Sequence, residues 1–341
     1  MTAETGPAGG KVVVGAFLLA GQFPGVGHGD TLRTAVAYAQ AAERAGFDGV
    51  WLAEHHFVTY GTCPSALAMA GFILGGTSRL RVGTAAANLS VRHPVALAEE
   101  AALLDAVSGG RFDLGVARGG PWADLEVFGT GLDRYAPDAF AEAVDLLLAT
   151  FTGAGTVCGD GPRFRFRDVP VVPRPERALP VWIAATSPST VDLAAARGLP
   201  LLLGMHDTDA GKTDVIRRHA QAGGAHGSAH VSAHLAYVAD STERAEGVLR
   251  ATLPGWLARA GEHVRIDGTT LTRNVADYVE HLLAVHPVGP PGRCVQRLAG
   301  TLAGTGARRL LLMVEAGGTP ERTIRNIERL GAEVLPALRT A

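Results

Sequence analysis

The sequence predicts an α/β protein of the (β/α)8 TIM-barrel class, with insertions. Short apolar runs alternate with amphipathic stretches along nearly the whole chain, the pattern of parallel β/α construction. Roughly eight of those runs read as strands, the number that closes such a barrel. No composition shift marks a second domain, so residues 11–338 read as one unit. An open Rossmann sheet is the structural alternative, but no G-x-G-x-x-G opens a βαβ unit.

KVVVGAFLLA, from Lys11, is the first strand, and a glycine-rich loop follows it. Asp30 or Thr31 caps a helix running through Glu43, which Gly46 terminates. FDGVWLAE is the second strand. Pro64 to Gly75 reads as a helix and RLRVGTAA, Arg79 to Ala86, as the third strand. Pro94 takes a first helical position and its helix extends to Ser108. RFDLGVA from Arg111 is the fourth strand, with a helix over Ala136 to Thr150. Phe151 to Pro180, rich in proline, glycine and arginine, is a long excursion that can hold a small hairpin. VWIAA at Val181, LPLLLG at Leu199 and HVSAHLAYVA continue the strands, with helices from Ser189 and over Lys212 to Ala222 between them. Helices over Thr242 to Ala260, Val275 to Leu283 and near Leu302 precede the last strand, ARRLLLMVE. Gly261 to Thr272 is polar and irregular, and a final helix runs from about Pro320 to Leu335.

Of 341 residues 47% are hydrophobic and 19% charged, enough apolar side chains for one sizeable core. A formal charge of -2 and a pI near 6.6 give no electrostatic footprint for nucleic acid. Lysine occurs only at Lys11 and Lys212. Cys63, Cys158 and Cys294 are odd in number and far apart, so they read as thiols of a reducing compartment. No signal-peptide pattern opens the chain and no apolar run is long enough for a bilayer. Those features predict a cytoplasmic protein with no membrane partner.

Polar residues gather where strands end: Glu54, His55 and His56; Thr84 with Ala85 and Ala86; Arg118 with Gly119 and Gly120; Thr186 and Ser187; and Glu315. In a barrel those ends share one rim, where catalytic pockets form. Arg118 before two glycines is a cation on permissive backbone. TSPST, Thr186 to Thr190, sets hydroxyls and free amides at a helix start and makes a phosphate seat. Against these readings, tandem histidines also occur on loop surface, serine and threonine are common helix caps, and a strand-end arginine often pairs with a carboxylate. Adjacent His55 and His56 point apart on extended backbone and HExxH is missing, so no metal site is expected. His93 reads as a capping or packing residue. Asp105 and Arg111 flank a tight turn and are expected to form an ion pair.

Taken together, GFDGVWLAEHHF, RLRVGTAAANLSVRHPVALAEEAALLDAVSGGRFDLGVARG, EVFGT, VWIAATSPSTVDLAAARGLP and HPVGPPGRCVQRLAGTLAGTG resemble the luciferase-like flavin monooxygenase family. The resemblance extends in order over most of the chain and is weakest between Gly223 and Val285. It implies a luciferase-like barrel, usually dimeric, that takes reduced FMN (FMNH2) from a separate NAD(P)H-dependent flavin reductase and uses O2 to oxidise an organic substrate. By matching position, His55 is the histidine near the reactive flavin edge, with Glu54 beside it. Arg118, Ser187 and Thr190 fall where the family holds the phosphate, with Thr84 and Thr186 also near the cofactor. Ala85-Ala86 corresponds to a non-prolyl cis peptide under the flavin ring. Ala117 stands where luciferase has a reactive cysteine, Thr186 replaces a glutamate, and Ala136 replaces a second phosphate arginine for which Arg134 is a nearby substitute. The region after Ala260 is shorter than luciferase's lid.

The leading expectation is a two-component FMN monooxygenase acting on a small apolar secondary metabolite such as an aromatic polyketide, as in antibiotic biosynthesis. The reaction is epoxidation, hydroxylation or Baeyer–Villiger insertion, with Phe17, Phe57, Phe128 and Trp182 as pocket walls. Alternatives are a deazaflavin-dependent hydride-transfer oxidoreductase, a long-chain aldehyde monooxygenase and a non-enzymatic flavoprotein. A homodimer is expected, with Val95, Ala98, Ala102 and Ala106 as a close helix contact; packing against the chain's own strands is the competing reading.

Overall fold

The computed structural model describes residues 11–152, 155–224, 227–262 and 274–340. Eight parallel strands close the barrel: β1 (Val13–Leu18), β2 (Gly49–Leu52), β3 (Arg81–Thr84), β4 (Phe112–Ala117), β5 (Val181–Ala184), β6 (Leu201–Leu203), β7 (Val231–Leu235) and β8 (Arg309–Met313). Each pairs with the next, and β8 returns to β1 with Val13 opposite Arg309. A short extension, Ala87–Asn88, continues beside the end of β4. The expected alternation is therefore realised as a closed barrel rather than an open sheet.

Boundaries shift where local chemistry decides them. The first helix starts at His28, with Gly27 as its N-cap, because Asp30 lies in the first turn rather than at the cap. There its carboxylate complements the helix dipole. The excursion contains an antiparallel hairpin, Thr156–Asp160 with Arg165–Pro170. Asp105 pairs with Arg177, at 2.5 Å, and not with Arg111. Arg111 instead donates to the carbonyls of Leu74, Leu80 and Ser108, closing a turn it cannot leave. The segment Gly261 to Thr272, with the expected short lid, falls mainly outside the described residues. No helix among those described is long and apolar enough to cross a membrane.

Strand parity separates two apolar layers, since alternate side chains face opposite ways. Val50 and Leu52 on β2, Val116 on β4 and Ile183 on β5 face the helices. Trp51, Ala53, Trp182, Val231, Ala233 and Leu311 fill the barrel interior. Trp51 and Trp182 meet edge to face at 5.2 Å. Trp182 Nε1 donates to Ala229 O at 3.0 Å, just below β7, and Arg309 stands 5.6 Å from its ring. The two indoles thus form a floor, one inward step beneath Ala53 and Ala184. Glycine makes room for it: a Cβ on Gly83 would lie 2.5 Å from the Trp51 ring.

Gly83→Ala should overpack this floor and destabilise the protein by about 1–3 kcal/mol. A denaturant midpoint unchanged from the parent would show that Trp51 moves aside without cost.

Candidate active site

The same parity sorts the polar residues beyond β2. Trp51, Ala53 and His55 share the inward side, whereas Leu52, Glu54 and His56 face the surrounding elements. The Glu54 carboxylate is buried and accepts from Ala66 N at 3.1 Å, Asn88 N at 3.0 Å and Arg92 Nη2 at 2.8 Å. His56 Nε2 is 3.6 Å away. Burial alone would raise its pKa, but His56, Arg92 and the two amides outweigh that and hold it below the ordinary glutamate value. Glu54 therefore joins the end of β2 to the start of helix Ala66–Gly75 and to the Asn88 segment; it is not among the residues lining the cavity.

His55 lines a cavity of about 190 Å³ at the C-terminal ends of the strands. Phe17, Leu19, Ala53, Ala85, Ala184 and Met205 give that cavity apolar walls, and Thr186 stands at its edge. The His55 ring meets Tyr60 edge to face at 5.6 Å. Tyr60 stacks on Trp256 at 4.6 Å, and Trp256 Nε1 donates to Tyr60 O at 2.8 Å. Gly61 faces the other side of the imidazole, where a Cβ would come within 2.5 Å of Nδ1. Packing and backbone thus fix the ring before any ligand arrives.

At the end of β3 the Ala85-Ala86 peptide is cis, and Ala85 lines the cavity. Thr84 is fully buried and works differently: its Oγ1 donates to Gly115 O at 2.6 Å and accepts from Gly115 N at 3.0 Å, locking β3 to β4. Val116 pairs with Ile183, so Arg118 and Ala185 leave adjacent strand ends at one level. Next to Ala185, Ser187 caps helix Pro188–Ala196, accepting from Thr190 N, and its hydroxyl lies 2.9 Å from Thr190 Oγ1. Arg118 rests over Tyr135, 4.3 Å from the ring centroid. Among the described residues no carboxylate pairs with Arg118, which leaves its charge for an anion beside this helix start.

Other expectations are placed elsewhere. Trp182 belongs to the barrel floor. Phe57, at φ 59°, and Phe128 are exposed and touch each other at 5.8 Å outside the cavity lining. Arg134 donates to Arg92 O at 2.8 Å and lies over Phe164, so its guanidinium is already committed. Glu315 anchors the end of β1 through Leu19 N and Gly21 N, and burial pushes it up to about 7 against those amides. His93 caps its helix by accepting from Val95 N. Sequence reading missed Tyr60, Trp256 and His206. His206 lines the cavity and bonds Tyr278, and its position just past β6 follows the strand-end rule that had selected His55. Among the described residues no group of three or more His, Cys, Asp or Glu can hold a metal ion.

Glu54→Gln leaves Arg92 and two amides facing a neutral group. It should cost about 2–4 kcal/mol at neutral pH, Arg92's partial exposure keeping the loss below that of a fully buried pair. Because the folded pKa is depressed, the carboxylate's contribution is complete above the ordinary glutamate value and is lost as pH falls through the lower, folded one. Unfolding curves of parent and variant should converge over that acid range; a gap independent of pH would show that the charge is not what matters.

The luciferase-like monooxygenase family model matches residues 12–309. An alkanal monooxygenase alpha chain from Photorhabdus luminescens is 30% identical over 95% of this chain and 97% of its own length. Among solved structures, monooxygenase RslO1 from Streptomyces bottropensis superposes with a TM-score of 0.83 at 20% identity, covering 95% of this chain and 99% of that one. An F420-dependent secondary alcohol dehydrogenase gives 0.74 at 17% identity, covering 96% and 99%. These two structural likenesses are of fold alone. The family match over most of the barrel makes the chain a member of the luciferase-like, flavin-dependent monooxygenases.

Proposed function

We propose that the chain is the oxygenase of a two-component system, using FMNH2 from a separate NAD(P)H-dependent reductase and O2 to oxidise a small apolar substrate in the cytosol. The observation that carries this reading is a fixed imidazole, His55, on an apolar cavity beside Ala85-Ala86, with Arg118 and the Ser187–Thr190 helix start at neighbouring strand ends. These residues fit FMN. The cavity, about 190 Å³, is smaller than the roughly 300–1,000 Å³ of sites that enclose a whole ligand. It would take the ring end of FMN, with Arg118, Ser187 and Thr190 holding the phosphate.

Reduced FMN, when bound, supplies the electrons that activate O2. The protein's part is to seat the phosphate, exclude water with apolar walls and hold a proton at His55. Imidazole suits that task near neutral pH. Glu54 is a positioning residue, fixing the backbone from which His55 projects. Phe17 and Tyr60 add aromatic surface, which supports a flat substrate of the aromatic polyketide type and a role in secondary metabolism.

The test supplies the protein with a flavin reductase, NADH and either polycyclic phenols and quinones or long-chain aldehydes. Oxygen-18 should enter a polycyclic product. His55→Ala should lower that turnover by about 10²-fold or more while leaving FMN affinity unchanged. Unchanged coupled turnover in the variant removes His55 from the chemistry. Conversion of aldehyde alone, with light, or selective binding of a reduced deazaflavin, replaces the substrate or cofactor assignment.

The chain is also proposed to form a homodimer. Of the residues the sequence marks, Ala98 and Ala102 are buried in their own subunit, whereas Ala106 is exposed beside Leu103 and Val107 on the same helix; Phe72, Leu103 and Val107 are exposed by 70%, 52% and 73%. Such a patch supports association. Sedimentation at micromolar concentration should give a dimer, and Phe72→Glu with Val107→Glu a monomer. A monomeric parent defeats the proposal.

A further inference from the structure

Beyond β7 the chain continues as Tyr237–Val238, paired with Val288–Gly289. Asn326, buried on helix Pro320–Arg329, clamps this segment. Its Oδ1 accepts from Val238 N at 2.9 Å, and its Nδ2 donates to Ala236 O at 2.8 Å and Val314 O at 3.2 Å. Between the segment, that helix and helix Thr242–Leu257 lies a groove of about 460 Å³. It shares no lining residue with the cavity at His55.

Four arginines line the groove, Arg244 from one helix and Arg322, Arg325 and Arg329 from the other. The last three fall at helical spacing and share a face. Asp240 is the sole carboxylate of the lining. It pairs with Arg329 at 2.8 Å and Arg244 at 3.5 Å, and Glu333 also takes Arg329, at 2.7 Å. Among the described residues no carboxylate pairs with Arg322 or Arg325. Tyr237 registers the convergence: burial pushes its phenol up, and all four guanidiniums act against that rise.

Like charges drawn toward one concave wall repel one another unless an anion joins them. The guanidinium fork matches phosphate oxygens two at a time. Tyr237 and Val248 add apolar surface, and the volume exceeds what an inorganic anion would fill. We propose that this groove binds a small organic phosphate or diphosphate, with Arg322 and Arg325 on the phosphate and Tyr237 and Val248 against the organic part.

Calorimetric titration of the full chain at low salt, with AMP and with inorganic pyrophosphate as probes, tests the assignment. AMP should bind saturably with a dissociation constant of about 1 mM or tighter. Arg322→Ala with Arg325→Ala should weaken it by about tenfold or more, and the two arginines are exposed, so thermal melts should stay unchanged. The paired Arg→Lys variant, keeping charge without the fork, should fall between. Arg118→Ala, which alters the other anion seat, should bind AMP as the parent does. Three results overturn the proposal: no saturable AMP binding, binding that survives the double alanine substitution, or binding lost in Arg118→Ala. Pyrophosphate binding without AMP binding assigns an inorganic anion and overturns the organic half.

Discussion

A buried charge fixes the mouth of this barrel. Glu54 sits under the rim with its carboxylate shared among the start of one helix, the Asn88 segment and Arg92. An unpaired carboxylate there would be costly, so each of those elements is held where it can donate. The neighbour of Glu54 in sequence then has no choice of direction. Extended backbone turns His55 to the opposite side, into the cavity, where Tyr60 and Gly61 confine its ring. The tandem of ionisable residues thus divides its labour by parity, one member anchoring and the next exposed to ligand.

The interior obeys the same economy of direction. Outward positions of the strands are apolar and pack against helices, while inward positions on β2 and β5 step from tryptophan to alanine. Trp51 occupies the lower barrel only because Gly15 and Gly83 leave space beside it. Above the tryptophans Ala53, Ala85 and Ala184 are small enough to leave a cavity. Side-chain size along alternate positions therefore sets where the core stops and the binding space begins.

The barrel was legible because strand hydrophobicity and helix punctuation are local properties, readable one segment at a time. The gathering of polar side chains at one rim was legible too, since those at β2, β4 and β5 follow directly on each strand. What escaped was orientation. Trp182 reads as a pocket wall by type, but it lies one inward step too low. Thr84 reads as a ligand contact by position, yet its hydroxyl is spent between β3 and β4. Tyr60 and Trp256 are 196 residues apart in sequence, and no local pattern joins them. The Asp105–Arg111 expectation failed for a related reason: Arg177, remote in sequence, reaches the carboxylate, while Arg111 meets carbonyls close by.

The tryptophan floor has a consequence for traffic. Trp182 is tied to Ala229 beneath β7 and flanked by Arg309 at the start of β8, so the well above it is blind at that end. Among the described residues the well opens on the strands' carboxyl side, and in a well closed below, whatever lies deeper can leave only after whatever lies above it has gone.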